Sequence, residues 1–177
     1  MKNLIYLTLF LLVGCKTTVT TTSQNMLQNT VTVTPVNCPE NGACTLELIP
    51  NKTIEFKHDK FGNTYPVISE GTKTILKFTY TKNTPKGLQD SSYTEIIYAE
   101  LENNLPELSL HNENLNNVKL HFGRLCYCKG ETGYYQIKSG EFNFKKSNSN
   151  SIQLSLSFKV SMVPQIISKI NEIIPIK

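Results

Sequence analysis

From about Val31 onward, apolar residues recur at every second position. Leu46 and Leu48 alternate in ACTLELI, Ile54 and Phe56 in KTIEFK, and Leu76, Phe78 and Tyr80 in TKTILKFTYTK. SSYTEIIYAEL continues the pattern with Tyr93, Ile97, Ala99 and Leu101, its stripe broken by Glu95. Leu108 and Leu110 precede an Asn-rich turn (HNENLNN), and Val118, Leu120 and Phe122 follow it. Phe142 and Phe144 sit in GEFNFKK, and the clearest run is SIQLSLSFKV, with Ile152, Leu154, Leu156, Phe158 and Val160 on one face. A strand sends successive side chains to opposite faces, so each run has one apolar and one polar side. PENG, HDKFGN, SEGT, NTPKG, KGETG and KKSNSN punctuate the runs as turns. Roughly eight or nine short strands at this spacing predict an all-β fold, an antiparallel β-sandwich or a partly closed barrel.

One segment departs from period 2. In PQIISKINEII, Ile166, Ile167, Ile170, Ile173 and Ile174 repeat at helical spacing, with Pro164 suited to the first helical position and Pro175 beyond the end. This predicts a short C-terminal amphipathic helix over an open end or edge of the sheet.

The N-terminus has a different character. Met1-Lys2-Asn3 is a short positive region, and Leu4 to Val13 is apolar apart from Thr8. As a helix this run would rise about 15 Å, half of the roughly 30 Å hydrocarbon core, which suits a signal peptide and not a membrane span. It ends in Leu12-Val13-Gly14-Cys15. These four residues resemble the lipobox of bacterial lipoproteins: an aliphatic residue, a small or aliphatic one, Gly or Ala, then Cys. The resemblance implies that Cys15 is diacylglycerated, that cleavage falls before it, and that the lipid bilayer is a partner through its acyl chains. Acyl chains contribute about 0.8 kcal/mol per buried CH₂, so two or three hold a soluble domain stably. Lys16 to Thr34 is rich in Thr and free of acidic residues, an extended tether whose last residues, Val31 to Val33, form a first strand. In such lipoproteins an Asp beside the Cys favours the inner membrane and an acidic cluster favours surface export. Lys16-Thr17-Thr18 has neither, which implies the outer membrane, facing the periplasm.

The expected organisation is therefore a signal peptide at 1–14, the lipidated Cys and tether at 15–34, a β domain at 35–163, and a helix and tail at 164–177. The segments CPENGACT and FGRLCYCKGETGYY, with this layout, resemble the small lipoproteins that Bacteroidota carry in number. That resemblance implies no particular activity.

Composition narrows function mainly by exclusion. The chain has 177 residues, 39% of them hydrophobic and 18% charged, a balance that supports one packed domain. Its net charge is +4, and every basic residue except Arg124 is a Lys scattered among other residues. A nucleic-acid surface needs clustering and usually Arg, so no nucleic-acid partner is expected. His58 and His111 sit in turn-like segments, and His121 points away from the stripe of Leu120 and Phe122. No metal-ligand spacing links them, so neither a metal nor a cofactor is expected. Glu95, Glu100, Glu102 and Glu107 fall on both faces of their strands, and no nucleophile elbow or phosphate loop occurs. No catalytic residues are assigned, and no enzyme is predicted.

Beyond Cys15 the chain carries Cys38, Cys44, Cys126 and Cys128, an even number suited to disulfides in an exported protein. Four Cys allow three connectivities. Cys126 and Cys128 in an extended strand would lie roughly 6.5–7 Å apart, too far to bridge unless the chain bends. Crossed bridges would close loops of roughly 80–90 residues and stabilise more. Cys38–Cys44, across a turn containing Asn41-Gly42, requires the fewest assumptions. A thiol-redox role for Cys126-Tyr127-Cys128 is the competing reading. Finally, Tyr127, Tyr134 and Tyr135 around KGETG form a possible binding patch, because Tyr offers large contact area at little entropic cost. The expected function is a non-enzymatic binding or structural module of the envelope, with an envelope protein as possible partner. The alternatives are a small inhibitor or immunity-type lipoprotein blocking a lysozyme, protease or toxin, and, last, a thiol-redox or hydrolytic enzyme.

Overall fold

Alternating sequence becomes two antiparallel sheets in the computed structural model, which describes residues 27–85, 87 and 90–176. The signal segment, Cys15 and most of the tether lie outside the described residues. The strands are β1 Val31–Val33, β2 Gly42–His58, β3 Thr64–Lys82, β4 Tyr93–Glu102, β5 Leu108–His111, β6 His121–Cys126, β7 Gly133–Gln136, β8 Ser139–Asn148, β9 Ser151–Lys159 and β10 Lys169–Pro175. One sheet has the order β1-β2-β3-β4-β6-β7 and the other β10-β9-β8-β5. They pack as a sandwich and do not close into a barrel. Between them lie Leu46, Leu48, Leu76, Phe78, Ile97 and Phe122 from the first sheet and Phe142, Phe144, Leu154, Leu156, Ile170 and Ile174 from the second, all in one buried cluster. The Asn-rich turn is a single 3-10 helix, Asn112–Val118, anchored by the buried side chains of Leu115 and Val118.

Strands β2 and β3 are much longer than the rest, at 17 and 19 residues. They change direction together. Asn51 has φ 58°, and pairing slips between Pro50 and Lys52, a β-bulge that puts Ile54 and Phe56 on the face opposite Leu46 and Leu48. Gly71, in the SEGT segment expected to be a turn, lies across from this bulge, where a Cβ would come within 2.9 Å of Thr53. The missing side chain lets the two backbones close up at the bend. Beyond it, the distal half of the hairpin folds back over the outer face of its own sheet. Phe56 of β2 thus stacks on His121 of β6, although β3 and β4 separate those strands in the sheet.

The expected C-terminal helix is not formed. Pro164 to Ser168 run as a loop, and β10 follows as an edge strand paired with β9 from Lys169↔Ser157 to Pro175↔Ser151. Ile170, Glu172 and Ile174 face inward and Ile173 faces outward, a period of 2. Two things outweigh the helical spacing. β-branched Ile loses side-chain freedom in a helix and packs well on a pleated surface. The backbone of Lys169–Pro175 is also paired along β9, while the preceding Ile166 and Ile167 N–H groups donate to the two carboxylate oxygens of Glu95 at 2.6 and 2.7 Å. Glu172, an acid pointing inward on an edge strand, accepts from Val36 N and Asn37 N and so ties down the chain leaving β1.

Candidate functional site

The folded-back arm borders a concavity. Its tip, Gly62 to Thr64, faces the β6–β7 loop and strand β7 across an open cleft of about 780 Å³. Gly130, Thr132, Tyr134, Tyr135, Lys138 and Met162 also line it. A second depression of about 340 Å³ shares Leu125 and Thr132 with it and reaches Cys126 and Tyr127. Three large apolar side chains stand exposed here: Met162 (75%) in the cleft, Phe61 (77%) beside the lining residue Gly62, and Tyr127 (82%) at the loop tip.

The cleft floor is held from below by the arm. Ile54, Ile75, Ile96 and Tyr98 form a second buried cluster on the outer face, with Phe56, Leu125 and Tyr134 packed against it. The Tyr134 ring lies across Gly123, where a Cβ would come within 2.5 Å of it, so Gly123 makes room for the ring. Polar contacts fix the arm to the sheet. Glu100 of β4 accepts from Thr53 Oγ1 at 2.6 Å and Ile54 N at 2.8 Å, and pairs with Lys119, which also donates to Ile54 O. Burial opposes ionisation of Glu100, but the bonds from Lys119, Thr53 and Ile54 outweigh it and hold its carboxyl below the usual value.

Burial lowers the pKa of His121 against an opposing hydrogen bond to Lys119 O, with Nδ1 at 2.8 Å and the ring stacked 3.5 Å from Phe56. The folded state therefore keeps this imidazole neutral at a pH where the unfolded chain, near the ordinary imidazole value of about 6.5, binds a proton. A depressed folded pKa gives stability that is present above the unfolded value and lost as pH falls. We expect denaturant stability to decrease from pH 7 to pH 5, and His121→Phe to flatten that slope. A slope unchanged in His121→Phe would mean that another group titrates.

A buried polar cluster closes the same end of the sandwich from within. Glu95 is fully buried and, besides the two loop N–H groups, accepts from the Tyr93 hydroxyl. Arg124 sits over the Tyr93 ring, donates to its hydroxyl at 3.4 Å, and pairs with Glu131 of the β6–β7 loop. Burial first, and then the bond to Glu95, push the Tyr93 phenol up to about 12. These donors and acceptors satisfy one another, so the cluster is a clasp between the 165–168 loop and the β6–β7 loop.

Both disulfides pair neighbours. Cys38–Cys44 forms as expected, with Cα atoms 5.7 Å apart. Cys126–Cys128 forms as well, at a Cα separation of 5.2 Å. This is shorter than an extended strand allows, because β6 ends at Cys126 and the chain bends at Tyr127. Of the three tyrosines, Tyr134 and Tyr135 point to opposite faces of β7, one packed on the outer cluster and one on the main core, and both line the cleft. Tyr127 is the one that projects. His58 and His111 are exposed, Glu102 pairs with Lys73, and Glu107 accepts from Lys146 N. None of these four joins the cleft. The arm tip, Phe61 and Met162 belong to the candidate site although the pattern did not single them out. HDKFGN was legible only as a turn between two alternating runs.

Among the described residues, no group of three His, Cys, Asp or Glu side chains could hold a metal ion. Among them, too, no helix is long and apolar enough to cross a membrane. In comparisons with family models, curated proteins and solved structures, the chain matches none.

Proposed function

We propose that the chain is a lipid-anchored protein of the cell envelope that acts as a non-enzymatic binding module, and that the arm-and-loop cleft is its recognition surface. One observation carries the binding reading. Tyr127 projects from a loop tip that is held rigidly by the Cys126–Cys128 bridge, the Arg124–Glu131 pair and the bond from Thr132 Oγ1 to Cys126 O. A rigid aromatic side chain gains contact area without the ordering cost of a mobile loop. Phe61 and Met162 extend the apolar rim, and Lys138 and Thr132 supply polar contacts within it. The anchor reading rests on Leu12-Val13-Gly14-Cys15, and the Thr-rich tether gives the domain reach above a bilayer.

Two substitutions test the two halves separately. Cys15→Ala removes the thiol that acylation requires, so metabolic labelling with a palmitate analogue is expected to vanish; persisting label would refute the anchor. A photocrosslinking residue in place of Tyr127 is expected to capture a discrete envelope protein, whereas one in place of Lys145, on the four-stranded sheet, is expected to capture none. Equal capture at both positions would refute the cleft as the recognition surface. A lysozyme, protease or toxin as the captured partner would make the module an inhibitor or immunity protein.

A further inference from the structure

The two disulfides occupy contrasting environments. Cys44 is buried in the main core, and Cys38, itself part-exposed, packs against that core. Cys126 and Cys128 are both part-exposed, on either side of the projecting Tyr127, and Cys126 lines the second depression. Their coupling to the fold differs too. A bridge stabilises a protein chiefly by restricting the unfolded chain, and the effect grows with the loop that it closes. Cys126–Cys128 spans a sequence separation of only 2, against 6 for Cys38–Cys44. Coupling is reciprocal: a bridge that adds little to folding receives little protection from it. The loop around the short bridge has supports that do not use the sulfurs, namely Glu131 N donating to Cys128 O and the Arg124–Glu131 pair. It therefore keeps its shape when the sulfurs part.

From this contrast we propose that Cys126–Cys128 is a reversible thiol–disulfide exchange site whose ligand is a thiolate, supplied by a small thiol or by a cysteine of a bound protein. The incoming thiolate attacks Cys128 Sγ, the S–S bond breaks, and the electron pair leaves with Cys126 as its thiolate. The product is a mixed disulfide at Cys128. Thr132 Oγ1, 3.8 Å from Cys126 Sγ, can turn its hydroxyl from the Cys126 carbonyl to that thiolate. A second thiolate, or Cys126 itself in the reverse direction, resolves the adduct: the first releases the dithiol and oxidises the incoming pair, the second restores the bridge. Exposed, weakly coupled bridges are the exchange-prone class.

The wild-type chain, purified in detergent, is titrated with reduced and oxidised glutathione, quenched by alkylation and mapped by mass. We expect Cys126 and Cys128 to open at a reduced-glutathione concentration at least tenfold below that needed for Cys38 and Cys44, with the far-UV circular dichroism of the sandwich unchanged. The same titration with a reduced cysteinyl peptide flanked by apolar residues separates the sources of thiol. Opening of the short bridge first by either probe supports the site, and the faster probe identifies the source. In Cys126→Ser, which removes the resolving thiol, the glutathione adduct is expected to persist on Cys128. Opening of both bridges together, or opening only as the circular dichroism signal is lost, would overturn the proposal.

Discussion

Truncation after Val163 is expected to prevent the domain from folding. It removes Ile167, Ile170 and Ile174, each buried, and burial of an Ile side chain contributes about 1.5–3 kcal/mol. Three such losses amount to about 4.5–9 kcal/mol, comparable with the whole stability of an ordinary domain, about 5–15 kcal/mol. The cut also strips β10 from β9, leaving a long unpaired edge that invites aggregation. Size-exclusion chromatography and a thermal melt check this; a truncated chain that is monomeric with the native melting curve would show that β10 does not close the sheet. Point substitutions add a test of period. Ile174→Ser is expected to cost several times what Ile173→Ser does, since Ile174 is 1% and Ile173 60% exposed.

Glu95→Ala is expected to be the most damaging single substitution, at about 3–5 kcal/mol in urea denaturation. It leaves the Ile166 and Ile167 N–H groups and the Tyr93 hydroxyl without their acceptor, and each buried unsatisfied group costs about 1–3 kcal/mol. Glu95→Gln keeps one acceptor oxygen and is expected to cost less. A loss under about 1.5 kcal/mol in Glu95→Ala would mean that the 165–168 loop is held by other contacts, such as those of Gln165 with Val160 N and Phe158 O.

Glu95 also shows what was legible in the sequence. Its intrusion into an apolar stripe was visible, but its partners come from backbone N–H groups more than seventy positions away, and no local pattern encodes a backbone donor. The C-terminus was misread for a similar reason: spacing alone suits a helix, and the partner that makes Lys169–Pro175 a strand, β9, is set by the fold. A regular strand such as β9 was plain, because one face meets the core and the other is largely open to solvent. Ile54 and Phe56 were recognisable as strand residues, yet their parity with Leu46 and Leu48 concealed the bulge at Asn51 that sends them to the other face. The cleft was half legible. Its tyrosines stood out by type, and the opposing arm tip did not, because a fold-back depends on one residue of register.

That one residue also separates two kinds of change in the molecule. Because the arm beyond Asn51 contributes to the outer cluster and not to the space between the sheets, lengthening or shortening its tip by residue pairs between His58 and Thr64 preserves the alternation of both strands. The width of the cleft can thus vary while the sandwich beneath keeps every contact, so new binding preferences can arise at the tip without reworking the core.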